Sequence, residues 1–392
     1  MGGISDAIEL SPIKQMEILA SQRHNVVSLA QGIPSFDTPE QIKQGAIEAI
    51  TSGRAAQYSL TAGLLELRGE IEDELARMRM FYDFEKEIIV TVGSIEGICS
   101  TLLAILDPGD EVILLSPTYA SYIQAIKVAR GVPVHVCLSE EDGWALDTHL
   151  LENKITDKTR AILLCNPNNP TGSVLNKEQL LSIGQIAEKN NLIIISDEVY
   201  KDFIYNEEDK NVFFTLASVS SLRKNVVRIF SYSKAYSMTG WRVGYLHTDV
   251  SLAQKILKVH DSLVTCAPVV AQYAAMAALR QKASEWRPYL NEYAERRRLM
   301  CRELDKLGDH LSYVYPEATY FVFPRINVSA LASYGGSFSL AKELLSSVGL
   351  AVVPGVAFGP NGEDHIRLSF GRSREIISEG MNRLIDYFNK YK

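Results

Sequence analysis

Lys234 stands in the stretch Ser231-Tyr-Ser-Lys-Ala-Tyr-Ser-Met-Thr-Gly-Trp-Arg-Val-Gly-Tyr245, directly after the apolar run Val226-Val-Arg-Ile-Phe230. A lysine leaving a strand end among hydroxyls, with Arg242 downstream and glycines at 240 and 244, combines groups that can hold an anion and attack a carbonyl. Ser231, Ser233 and Arg242 could neutralise a phosphate dianion, because charge-assisted bonds to a guanidinium are strong. Lys234 could then form an imine with the aldehyde of a phosphorylated cofactor. A lone lysine is ordinarily a solvated surface charge. Here its neighbours argue for the chemistry.

Other polar groups also follow apolar runs. Asp197 lies just beyond Leu192-Ile-Ile-Ile-Ser196, where a carboxylate is costly unless it meets a cation. A protonated pyridine nitrogen is one such partner; a helix cap or a structural salt bridge is the plain alternative. Thr91-Val-Gly-Ser-Ile-Glu-Gly97 passes from strand to helix, so the N–H groups of Ser94 and Ile95 fall at a helix N-terminus that favours phosphate. Asn166-Pro-Asn-Asn-Pro-Thr-Gly172 is a rigid, Pro-dense loop from which Asn169 can donate a hydrogen bond. Tyr119 and Tyr122 offer aromatic faces for stacking or for simple packing. Arg367, inside His365-Ile-Arg-Leu-Ser-Phe370, needs an anion if buried: a substrate carboxylate gripped bidentately, or a structural Asp or Glu. Gly32 either admits a ligand close to the backbone or only makes a turn.

The elements that must position these groups are legible from periodicity. Apolar runs at Ile88–Val92, Val112–Leu115, Val132–Val136, Ala161–Leu164, Leu192–Ile195 and Val226–Phe230 read as strands. Helical patterns at Ile95–Leu106, Ser121–Ala129 and Lys177–Asn190 alternate with them. Such alternation predicts an α/β fold, a mostly parallel sheet covered by helices on both faces. Ligands of such sheets bind beyond the carboxyl ends of the strands. After about residue 268 the pattern shifts to helices at 268–281, 284–307, 338–348 and 373–390 with short strands between, a smaller α+β unit. The boundaries expected are a large domain at 43–285 and a small one built from 1–42 and 286–392. After the N-terminal arm of residues 1–36, Thr38-Pro-Glu-Gln reads as a helix start with Thr38 at the cap, and Leu64–Arg79 as a further, amphipathic helix.

The chain has 392 residues, 46% hydrophobic and 22% charged, with a formal charge of −7. That mildly acidic balance argues against nucleic acid as a partner. Arg296-Arg-Arg298, the densest basic run, reads as a solvated helix face. Five cysteines without CxxC spacing read as small buried residues in a reducing compartment, not as metal ligands or disulfides. Met1-Gly-Gly-Ile-Ser-Asp has no secretory pattern and no run spans a membrane, so a cytoplasmic location is expected. Asn327-Val-Ser329 matches a glycosylation sequon by chance.

Together these motifs resemble the class I/II aminotransferases, the fold-type I family dependent on pyridoxal 5'-phosphate, from Gln31-Gly32 to Arg367. The Asn-Pro-Asn-Asn-Pro-Thr-Gly, Ser-Asp-Glu-Val-Tyr and Ser-Tyr-Ser-Lys…Gly-Trp-Arg-Val-Gly-Tyr stretches carry the resemblance. It implies that Lys234 is the Schiff-base lysine and the base that moves the substrate's α proton. Asp197 pairs with the pyridine nitrogen, Asn169 and Tyr200 with the ring's phenolic oxygen, and Tyr119 stacks on the ring. Ser94, Ile95, Ser231, Ser233 and Arg242 hold the phosphate. Arg367 binds the α-carboxylate with Gly32 and Asn169 alongside. Tyr58 matches a tyrosine that reaches the neighbouring subunit's phosphate, which implies a homodimer with shared sites.

The reaction so implied moves the amino group of an L-amino acid (aromatic, aspartate or similar) to a 2-oxo acid such as 2-oxoglutarate, through pyridoxamine phosphate. Rival reactions on this scaffold are a β-lyase cleaving C–S bonds, a kynurenine-type aminotransferase, a cyclopropane-forming synthase, and a ligand-sensing regulator without catalysis. A nicotinamide dehydrogenase is excluded because no GxGxxG follows a strand. Three departures from the family pattern stand out: no acidic residue around Gly32, Ile95 where aspartate-preferring relatives often carry a polar or basic residue, and the loop Glu317-Ala-Thr-Tyr-Phe. The first two argue against strict dicarboxylate specificity, so a broad pocket for aromatic or other large apolar amino acids is expected.

Overall fold

The computed structural model of the chain describes residues 8, 10–205, 213–327 and 335–390. Residues 1–6 and the last two residues of the sequon, Val328 and Ser329, lie outside them. The chain begins α1 (Pro12–Ser21), β1 (Val27–Ser28), α2 (Glu40–Thr51), α3 (Leu65–Arg77), β2 (Ile88–Thr91), α4 (Gly93–Ile105), β3 (Glu111–Ser116) and α5 (Ala120–Val128). It continues β4 (Val132–Cys137), α6 (Thr148–Glu152), β5 (Thr159–Cys165), α7 (Lys177–Lys189), β6 (Ile193–Asp197), β7 (Val226–Ser231), β8 (Gly244–His247), α8 (Val250–Val264), α9 (Val269–Leu279) and α10 (Ala283–Leu304). Short strands follow: β9 (Leu311–Ser312), β10 (Phe321–Val322), β11 (Arg325–Ile326), β12 (Leu350–Ala351), β13 (Val353–Pro354) and β14 (Ile366–Ser369). Helices at Ser337–Ser347 and Arg374–Lys390 interleave with and close this region.

The central sheet has the order β2-β8-β7-β6-β5-β3-β4. The pairs β3/β4, β3/β5, β5/β6 and β6/β7 are parallel, and only β8 runs against its neighbours β2 and β7. Its inner strands are mostly apolar because helices cover both faces, so neither side of the pleat meets water. Every residue of β7 is buried, including Arg228. That interruption of an apolar strand is tolerated because Glu198 pairs with it, while Ser196 and Thr215 satisfy the same carboxylate. Order along the sheet reverses around β3, whose neighbours β4 and β5 both follow it in sequence. A crevice opens beyond the strand ends at such a reversal.

The N-terminal segment joins the C-terminal strands: β1 pairs in parallel with β12, Val27 opposite Leu350. A second small sheet, β10-β14-β13, sets Arg367 of β14 opposite Val353. This sheet faces the central one across the crevice, supplying Phe321 and Arg367 to it.

Three expectations need correction. Thr38 does not cap α2; its hydroxyl donates to the Ser237 carbonyl at 2.7 Å and accepts from Trp241 Nε1 at 3.0 Å. The arm is thereby fastened to the loop that carries Lys234, a better use of the hydroxyl than a helix end that Pro39 already starts. Arg296 and Arg297 are buried, not solvated. Arg296 bonds Glu292 and Ser35 beneath the Phe36 ring, and Arg297 bonds the Pro316 carbonyl between Tyr205 and Tyr315. Of the cysteines, all free, Cys137 is exposed. Among the described residues no helix is long and apolar enough to cross a membrane, and no cluster of His, Cys, Asp or Glu could hold a metal ion.

Candidate active site

A cavity of about 400 Å³ lies at the carboxyl ends of β3, β5, β6 and β7. It gathers Gly32, Ser94, Ile95, Tyr119, Asn169, Asp197, Tyr200, Ser231, Ser233, Lys234, Arg242 and Arg367, the residues singled out from sequence, with one exception. Tyr58 is not among them; within one chain it is 83% exposed.

Each strand end delivers one group. Parallel register places Cys165, the last residue of β5, beside Asp197 and Asp197 beside Ile229. Asn169, Asp197 and Lys234 therefore emerge from three adjacent strands. Lys234 is recessed in the cavity, and its Nζ donates to the Gly32 carbonyl at 2.7 Å. Burial, then the nearby Arg367 and Arg242 charges, lower its pKa to about 8, although Asp197 pulls the other way. A lysine so shifted keeps about a tenth of its amine neutral at pH 7, enough to serve as nucleophile or base.

Asp197 is 3% exposed. Its carboxylate accepts from the Tyr122 hydroxyl at 2.8 Å and from the Val199 N–H at 3.2 Å. Burial raises its pKa to about 6 and outweighs both bonds. The acid is thus ionised at neutral pH yet starved of countercharge. Tyr122 was legible only as an aromatic face. What its sequence position signals is one helical turn from Tyr119 on α5, enough to turn its hydroxyl under the neighbouring strand.

Ser231, Ser233 and Arg242 form one cluster. The two hydroxyls are 2.8 Å apart, and Arg242 Nη1 reaches Ser233 Oγ at 3.4 Å. Gly93 opens α4 with φ of +73°, and a Cβ there would stand 2.5 Å from Arg242 Nη2. Glycine is required both for the backbone angle and for the guanidinium's approach. Ser94 and Ile95 follow in the first turn of α4, where backbone N–H groups are free for an anion.

Opposite lies Arg367, 3% exposed. It donates to Asn169 Oδ1 at 3.0 Å and to the Ala30 carbonyl at 2.6 Å, with its plane 4.3 Å from the Phe321 ring centre. Both partners are neutral, and Nε has none. Burial lowers its pKa to about 10. A guanidinium buried without a carboxylate is unstable unless an anion arrives. Among the described residues no carboxylate bonds Arg367, which favours the reading of Arg367 as a site for a ligand's anion over a structural ion pair. Tyr200 packs edge-on to Phe321 and Tyr320, and burial holds its hydroxyl well above the usual tyrosine range, hence protonated.

The geometry calls for a ligand with an anionic end, a group that a lysine can attack, and a site for a second carboxylate. Residues 24–384 match the family model for aminotransferases of class I and II. The chain belongs to that family. Aspartate aminotransferase of Pyrococcus abyssi is 36% identical over 383 residues, 97% of this chain and 96% of its own. Aromatic-amino-acid aminotransferase 2 of Thermococcus litoralis is 36% identical over 388 residues, 97% of each. The crystal structure of aromatic aminotransferase from Pyrococcus horikoshii OT3 superposes with a TM-score of 0.88 at 34% identity, covering 97% of this chain and 99% of that one. The protein is an amino-acid aminotransferase of fold type I, and its cofactor is pyridoxal 5'-phosphate. The aminotransferase cavity fits that cofactor: an uncrowded anion cradle, an amine of lowered pKa and a buried acid short of a cation all face one space.

Proposed function

We propose that the enzyme transfers the amino group of aromatic or other large apolar L-amino acids to 2-oxoglutarate, with Lys234 as its catalytic amine and Arg367 as its α-carboxylate site. The observation that carries this reading is Arg367, a buried cation with only neutral partners, facing Lys234 across one cavity. Ile13, Ile33, Ile95, Tyr119 and Phe321 supply an apolar lining beside it. Relatives named for aspartate and for aromatic amino acids share the fold at similar identity, which supports a pocket that admits both.

Bound pyridoxal phosphate supplies the electron sink that stabilises negative charge at the substrate's α carbon. Ser94, Ile95, Ser231, Ser233 and Arg242 would hold its phosphate, and Asp197, oriented by Tyr122, would pair with its ring nitrogen. Tyr119 would pack against the ring, and Asn169 and Tyr200 would hydrogen-bond its ring oxygen. Arg367 and Asn169 fix the substrate carboxylate, so that the α hydrogen faces Lys234. Lys234 Nζ would take that proton and later give one back, which needs a partly neutral amine, and the lowered pKa provides it.

We read the enzyme as a homodimer in the cytoplasm. Tyr58, Leu60, Ile47 and Ile50 are exposed together with Leu263, and Thr61 holds their loop to α8 through Asp261 at 3.1 Å. A second subunit would cover this apolar surface and carry its Tyr58 towards the other cavity.

Gly93→Ala is expected to push Arg242 out of the phosphate cluster. Losing one charge-assisted bond of about 1.5–3 kcal/mol weakens cofactor affinity about ten- to a hundredfold; equilibrium titration of cofactor-free protein measures it. Unchanged affinity would remove Arg242 from the cradle. For the substrate, single half-reactions with a panel of amino acids, followed by the change in cofactor absorbance, are expected to run with tyrosine, phenylalanine and other large apolar donors. Reaction with aspartate and glutamate alone would contradict the proposed pocket.

A further inference from the structure

The cavity is lined by four cationic side chains among the described residues: Lys14, Lys234, Arg242 and Arg367. Three have a place in the scheme above: Lys234 in proton transfer, Arg242 with the phosphate serines, Arg367 at the α-carboxylate. Lys14 has none. It sits on α1, whose Met16 is packed into the core while Ile13, Lys14 and Glu17 turn to the cavity. Its Nζ bonds Glu17 Oε2 at 2.6 Å.

We propose that Lys14 is the subsite for the distal carboxylate of dicarboxylic substrates, and that Glu17 is its resting partner, released when such a substrate enters. The proposal rests on the reading of Arg367 as the α-carboxylate site.

Three observations carry it. The Lys14–Glu17 pair is half exposed, 62% and 39%. Neighbours three apart on an exposed helix surface hold each other weakly, so the pair opens at little cost. Apart from the Ser11 hydroxyl, the lining beside the pair is apolar, Ile13, Ile33 and Phe321, and among the described residues offers a second carboxylate no other countercharge there. Glu17 and Arg367 line the same cavity, and the Glu17 charge favours the protonated guanidinium.

A transaminase must accept an amino donor and an acceptor of different side chains in one pocket. With an apolar side chain, Lys14 stays on Glu17 and no charge is left bare. With a dicarboxylate, Lys14 turns to the substrate and Glu17 remains half in water, where a lone carboxylate is tolerable. The Lys14–Glu17 pair lets one pocket receive both without a dedicated arginine that an apolar side chain would leave unpaired.

The test uses the cofactor-loaded enzyme and two non-reacting probes of different carboxylate count, glutarate and butyrate, with affinities measured by calorimetry and by competition with substrate. Lys14→Gln is expected to weaken glutarate about tenfold, the loss of one charge-assisted bond, and butyrate less than about twofold. Glu17→Gln frees Lys14 and is expected to tighten glutarate severalfold. If Lys14→Gln leaves glutarate unchanged, or weakens both probes by the same factor, Lys14 is not the subsite and the Arg367 reading stands. If the unsubstituted enzyme binds neither probe, the Arg367 reading fails and this proposal with it.

Discussion

Replacing Lys234 by alanine is expected to lower turnover by about four orders of magnitude, the upper range for a positioned general base. The variant should also lose covalent retention of the cofactor on reduction with borohydride, while the fold, read by circular dichroism, stays intact. The same amine makes a pH prediction. Only the neutral form attacks an aldehyde, so the rate of cofactor capture by the unsubstituted, cofactor-free protein should rise with pH through about 8 and level off above it. The sign follows from burial and from the Arg367 and Arg242 charges, all of which favour the neutral amine. A profile still climbing at the ordinary lysine value of 10.5 would show that the cavity does not tune the group.

Arg367→Gln should act in opposite directions on catalysis and on stability. Truncating one partner of a buried charge pair costs about 2–5 kcal/mol, so kcat/KM for amino acids should fall from about thirtyfold to several thousandfold. In the unliganded protein the same change removes a guanidinium whose partners are neutral and whose Nε is unpaired. A buried charge without a counterion is unfavourable, so Tm without ligands should stay level or rise. The Lys234 capture midpoint should move upward from about 8, since one of the charges that lowers it is gone. A loss of stability with substrate affinity retained would make Arg367 a structural residue.

Six of the seven strands of the central sheet were legible as apolar, β-branched runs, even where Arg228 interrupts β7 or Pro133 and His135 interrupt the edge strand β4. β8 was not: Gly244–His247 carries Gly, Tyr and His, and lies inside the same stretch as Lys234. Its place between β2 and β7 is a long-range fact that periodicity does not encode. Helix α8 was passed over for a different reason. It lies between that motif and Pro268, its buried face carries His260 beside Leu252, Ala253 and Ile256, and no residue in it bears on the chemistry. The polar groups of the site were legible as outliers, most of them just past an apolar run and Arg367 inside one. Their pairings were not. That Asn169 meets Arg367, or Tyr122 meets Asp197, depends on neighbouring strand ends and on a helix rotation. Thr38 shows the same limit. Its sequence fits a helix cap, yet a partner some 200 residues away wins the hydroxyl.

The most direct test of the account is peptide mapping after borohydride reduction of the protein loaded with pyridoxal phosphate. The account predicts the stable mass increment on the peptide containing Lys234 and no other. An increment on Lys14, Lys201 or another lysine, or none at all, would contradict it.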